Sequence, residues 1–147
     1  MSAITLAVYV LSFNAAWDIV TGLGLLIYLH TDTLKCLADT HLSLWISDEE
    51  RNNRVLSYAI GLFIIQWGII RASAAMDPLT KWPDAVATYC VEGVAVAVAV
   101  MEGKARQCSG LTVVVLCLGC IGVLIAASMG TRSTSHFFFF DLDIELP

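Results

Sequence analysis

The sequence predicts an all-α polytopic membrane protein, with four transmembrane helices in an up-down bundle. Composition is the first ground. The 147-residue chain is 58% hydrophobic and 14% charged, with a mean hydropathy of +0.77. A soluble domain is typically about 45–50% apolar and about 25% charged. Pattern is the second ground. The apolar residues fall into four runs, and a bilayer core of about 30 Å needs about 20 residues of helix.

The predicted spans are residues 4–29, 55–75, 85–103 and 111–130, forming a domain over 1–133 with a tail over 134–147. The first run is longer than a bilayer requires and must tilt or project. It has no basic leading segment and is too long for the core of a cleavable signal. In the 30–54 connection, ISDEERNNR offers Ser47 as an N-cap with Glu50 three later, a capping box that would start the second helix slightly early. Pro78 and Pro83 bracket the second connection, and Trp82 suits an interface anchor. The VAVAVAV run at 94–100 alternates as a strand would. An open strand leaves its backbone unpaired in lipid, so helix is expected there. QCSG at 107–110 is expected to make the third turn. In the tail, Phe137, Phe138, Phe139 and Phe140 precede an acidic end. They are expected to form an aromatic belt at the membrane surface, with a partner-binding strand as the alternative.

Cation placement sets an expected orientation. Lys35, Arg51, Arg54, Lys104 and Arg106 fall on one side, against Arg71, Lys81 and Arg132 on the other. The positive-inside rule then puts both termini away from the cytoplasm-equivalent side. The net charge of −5 and the scattered cations argue against nucleic acid as a partner, because phosphate binding needs clustered Lys and Arg.

Polar residues inside the spans are costly and mark sites to be explained. The set is Asn14, Asp18, Gln66, Arg71 and Glu92, with Glu102 at a span end. Counting about 1.5 Å of rise per residue, Arg71 and Glu92 lie about 6 and 10 Å inside the same face and are expected to pair. Asn14 and Gln66 fall near the midplane, where they are expected to hydrogen-bond across helices one and two. Asp18 has no cation at its level. It is expected either to be protonated or to meet Trp17, Thr21 or a group on another chain. These residues are expected to act as interhelical glue. A transport role, with Asp18, Gln66 and Glu92 as a proton or ion path, is less favoured because no span is broken by proline.

Small residues recur at close-packing spacing: Gly68 and Ala72 on span two, Ala95, Ala99 and Gly103 on span three, Gly122, Ala126 and Gly130 on span four. Four short spans carry more such faces than one bundle needs, which points to helices of other integral membrane subunits alongside lipid.

Five cysteines, Cys36, Cys90, Cys108, Cys117 and Cys120, lie mostly in or beside apolar runs, where a thiol behaves as a small hydrophobe. An odd count argues against a disulfide framework. His30, His41 and His136 have no metal-ligand spacing, so no metal or cofactor is expected. A bound lipid, or a pigment held through His30 or Asn14, stays open.

Two stretches carry resemblances. CLGC at 117–120 resembles the last-helix dithiol of the vitamin K epoxide reductase family, which would imply quinone-linked thiol chemistry at Cys117 and Cys120. That family also has a cysteine pair in its first large loop, where this chain offers Cys36 alone. AIGLFIIQWGIIRASAAMD at 59–77 resembles the second helix of the ergosterol-biosynthesis scaffold family, through Gly61, Arg71, Ala75 and Asp77. Glu102 approximately matches a late third-helix carboxylate there. This resemblance implies a four-helix tether for other enzymes, without an active site. The expected function is therefore a non-catalytic scaffold or accessory subunit of a larger assembly in an organellar membrane: respiratory, photosynthetic or sterol-enzyme. The alternatives are a small ion- or proton-conducting protein using Asp18 and Glu92, and a membrane thiol oxidoreductase.

Overall fold

The apolar runs become four α-helices in the computed structural model: α1 (Ala3–Thr31), α2 (Arg54–Met76), α3 (Trp82–Met101) and α4 (Gln107–Phe140). The structure describes residues 2–31, 42–47, 50, 53–78, 80–104 and 107–140, with side chains outside the description at 28–31, 107, 108 and 131–140. No strand occurs among the described residues. The segments Ala3–Ile27, Arg54–Met76, Trp82–Met101 and Ser109–Gly130 are each long and apolar enough to cross a membrane. The VAVAVAV run is helical throughout.

Helix ends follow local capping chemistry rather than the apolar pattern. The Ser47–Glu50 box forms: the Ser47 amide donates to Glu50 Oε2 at 3.1 Å and the Glu50 amide donates back to Ser47 Oγ at 3.4 Å. It does not begin α2. Asn53 does, its side chain accepting from the Leu56 amide at 3.3 Å. The second connection is also shorter than expected, because Trp82 and Pro83 already belong to the first turn of α3. Proline is tolerated there, since those amides have no helical partner.

Two expectations near the third turn are corrected. Gly103 lies outside the helix, with φ +71. The Lys104 amide donates to Ala99 O at 2.9 Å and the Gly103 amide to Val100 O at 3.1 Å. This double closure needs a left-handed residue after the C-cap, which glycine supplies without steric cost. Gly103 therefore ends α3 and is no part of a packing ridge. QCSG, the expected turn, is instead the first turn of α4, where Gly110 seats against Val100 and Val96. α4 also continues through Phe140, so 137–140 is helix and not strand. The side chains of Phe137–Phe140 lie outside the described residues, as do His30, His41, His136 and Cys36.

Glycine sets how the first two helices meet. A Cβ on Gly22 would lie 2.7 Å from the Gly61 carbonyl oxygen, and one on Gly68 would lie 3.0 Å from the Ala15 oxygen. These contacts pair late α1 with early α2 and earlier α1 with later α2, so the two helices run in opposite directions at near-backbone contact. α3 packs mainly on α4, while α1–α4 and α2–α3 contacts are looser. One apolar cluster draws on all four helices through Leu11, Ala74, Tyr89, Cys117 and Leu124. A second gathers Leu25 and Ile64 with Leu42 and Ile46 of the first connection.

Lys104 bridges Glu102 at 3.2 Å and Glu50 at 3.5 Å, so the first and third connections share one end of the molecule. The backbone and hydroxyl hydrogen bonds from Ser47 hold the Glu50 carboxyl below its ordinary range, and Lys104 adds a smaller pull in the same direction. A depressed carboxyl stabilises the turn at neutral pH, and that contribution is lost as pH falls through the lowered pKa. The Ser47 amide resonance is accordingly expected to titrate with a midpoint below the ordinary glutamate value of about 4.3. A midpoint at or above it contradicts the box in solution.

Candidate functional site

Between the two apolar clusters lies one polar group set, and Arg71 is its centre. Its side chain is 2% exposed, and a charge that deeply buried is tolerated only when paired and hydrogen-bonded. Each corner of its guanidinium has a partner. Nη1 donates to Asp18 Oδ2 at 2.6 Å, Nη2 to Glu92 Oε2 at 2.5 Å, and Nε to Thr88 Oγ1 at 3.0 Å. The planar fork of arginine suits three acceptors at fixed angles, which a lysine ammonium does not. The Tyr89 ring closes the remaining face, with its centroid 3.9 Å from the guanidinium carbon.

The network continues to α4. Tyr89 Oη accepts a hydrogen bond from Asn14 Nδ2 at 2.8 Å, and the same amide reaches Cys120 Sγ at 3.5 Å. Asn14 and Asp18 on α1, Arg71 on α2, Thr88, Tyr89 and Glu92 on α3, and Cys120 on α4 thus form one connected set. Thr88 also donates to the Ala85 carbonyl at 2.7 Å, which fixes its lone pairs toward Arg71.

The Arg71–Glu92 pair expected from depth is present. The expected Asn14–Gln66 bond is not: Asn14 turns to Tyr89 and Cys120, while Gln66 is exposed on the outside of α2. Asp18 meets Arg71 of the same chain. Depth counted along Cα positions misses this pair because helical side chains lean toward their own N-terminus. On antiparallel helices Arg71 and Asp18 lean toward each other, and the long arginine stem spans the remaining gap.

Thr88 and Tyr89 were not singled out from the sequence. The available signal was the Thr88–Glu92 spacing of four, which puts two polar groups on one face of an otherwise apolar helix. Gly22 was also missed, although it and Ala15 lie seven apart on the α1 face that α2 covers.

Small-residue faces divide into used and open ones. Gly22, Gly61 and Gly68 are consumed between α1 and α2. Ala99 is buried and Ala72 and Ala95 are half-buried. On α4, by contrast, Gly119, Gly122 and Ala126 are exposed, and a Cβ on Gly119, Gly122 or Gly130 would meet nothing within 4 Å. Cys117 is buried in the four-helix core and Cys90 is exposed; with Cys120 they are free thiols. Among the described residues, no group of His, Cys, Asp and Glu is arranged to hold a metal ion.

No protein-family model, no curated protein and no solved structure matches this chain.

Proposed function

We propose that the chain is an integral membrane protein whose four helices alternate up and down across the bilayer, and that it serves as a non-catalytic scaffold or accessory subunit of a larger membrane assembly. The observation that carries this is the Gly119–Gly122–Ala126 ridge on α4. The same kind of surface brings α1 and α2 to near-backbone contact inside the bundle, and on α4 it faces outward over about 10 Å of helix. Lipid tails solvate such a strip no better than they solvate leucine, whereas a second helix gains close packing along it. The buried Arg71 network fits a rigid support, because its members bond to one another and leave the outer surfaces to carry recognition. The likeness of residues 59–77 to the ergosterol-biosynthesis scaffold family agrees with this role, and an organellar respiratory, photosynthetic or sterol-enzyme assembly is the proposed setting.

The test has two steps. Alkaline carbonate should leave the chain in the membrane pellet. Purified from native membranes in mild detergent, it should bring a stoichiometric partner, and Gly122→Leu should lose that partner while melting at an unchanged temperature. A wild-type chain that purifies without any other subunit overturns the proposal.

The charge count favours a second reading. One guanidinium faces two carboxylates, a formal charge of −1 with both ionised, and unbalanced intramembrane charge marks proton and ion paths. If Asp18 and Glu92 conduct, the pure protein in liposomes should show an ion flux that Asp18→Asn abolishes. If the set is a structural lock, no flux appears in either.

A further inference from the structure

Arg54 at the start of α2 and Gln66 at its middle are both exposed, but only Gln66 is a strongly polar side chain turned outward within the apolar part of the helix. It sits twelve residues from the helix start, near mid-span, about 160° around the helix from Gly68. Its amide has no hydrogen-bond partner among the described residues, and it is exposed. In hydrocarbon an unpaired amide is costly, because no solvent molecule replaces its bonds.

The surface around it has a regular pattern. Val55, Leu62, Ile69 and Met76 recur every seven residues and are exposed by 78%, 58%, 58% and 82%. Gln66 lies in the adjacent row, four after Leu62 and three before Ile69. A seven-residue repeat kept over three turns of the pattern holds one seam toward a partner helix, and a single polar residue within such a seam fixes register.

We propose that this seam is a homodimer interface, with α2 of one copy packed parallel to α2 of a second copy and Gln66 bonded to Gln66 across a two-fold axis. This rests on the membrane-spanning reading above. A second copy is the occupant the chemistry selects. Copies inserted in one orientation carry Gln66 at the same depth, and a primary amide is both donor and acceptor, so two of them satisfy each other reciprocally. The large residues of one row would then interleave with the smaller neighbours of the other. α2 and α4 are not adjacent in the bundle, so this face leaves the α4 ridge open for a different subunit.

The experiment is energy transfer between donor- and acceptor-labelled full-length chains in phosphatidylcholine vesicles, followed as lipid is added. Wild type should self-associate. Gln66→Leu should need about threefold to thirtyfold more protein per lipid for half-association, the range for interhelical hydrogen bonds in membranes. Gln66→Asn should recover most of the loss, which a purely steric role would not predict. Because Gln66 faces outward, the helical content of these variants should match wild type. A wild type that stays monomeric at the highest protein density, or a dimer indifferent to Gln66→Leu, overturns the proposal. So does a Gln66→Leu chain that loses only a different subunit from native membranes. If carbonate extracts the chain, the membrane reading itself fails; a carbonate-resistant monomer sinks the dimer alone.

Discussion

Arg71→Ala is expected to cost the bundle most of its stability. The substitution leaves Asp18 and Glu92 facing a common space with no counter-charge, and strips Thr88 of the donor it accepts from. Removing one partner of a buried ion pair costs about 3–5 kcal/mol, and the lost contact with the Tyr89 face adds about 1–2 kcal/mol. Against a total near 5–15 kcal/mol, the variant should aggregate or melt far below wild type when followed by fluorescence-detected size exclusion in detergent. Arg71→Lys should fall between, since an ammonium cannot serve three acceptors in a fork. The informative control is Asp18→Leu/Arg71→Met/Glu92→Leu. Replacing a whole buried charge set by apolar groups of similar size is often neutral or stabilising, so this triple variant should melt near wild type. An Arg71→Ala chain as stable as wild type would show that the network holds nothing together.

The helices were legible from the apolar pattern: each run long and apolar enough to cross a bilayer is a helix. Their ends were less so. The Ser47–Glu50 spacing correctly announces a capping box, but the box closes a turn of the connection, and Asn53 caps α2 six residues later. Gly103 fits the small-residue spacing of Ala95 and Ala99 equally well, yet local backbone geometry assigns it to the C-terminus of α3. For the polar residues, depth alone was a poor guide and helix face a better one. The rotation that puts Gly61, Gly68 and Arg71 together turns Gln66 away from them, so its failure to meet Asn14 was already written in the spacing. What spacing did not contain is how far Arg71 reaches, and that reach is what joins Asp18 to α2.

Gly22→Leu should be the second severe variant, and the reason is the backbone. A Cβ at this position would lie 2.5 Å from Ile65 Cγ1, 2.7 Å from the Gly61 oxygen and 3.1 Å from the Ile65 nitrogen. The Ile65 side chain can rotate away, but a carbonyl and an amide of the facing helix cannot move without moving α2. Overpacking ordinarily costs about 1–3 kcal/mol, and here the cost propagates. Gly22 is one turn from Asp18 on α1, and Gly68, with only 3.1 Å between a built Cβ and Asp18 Cβ, is one turn from Arg71 on α2. Separating the helices at Gly22 therefore stretches the 2.6 Å Arg71–Asp18 bond as well. The two lesions share an energy, so Gly22→Leu combined with Arg71→Ala should cost less than the sum of the single variants. The matched control is Gly122→Leu, at an exposed position where an added Cβ meets nothing within 4 Å; in the purified protein it should melt as wild type does. Equal destabilisation by Gly22→Leu and Gly122→Leu would mean that α1 and α2 do not approach through their glycines, and the Asp18–Arg71 contact that depends on this approach would fall with it.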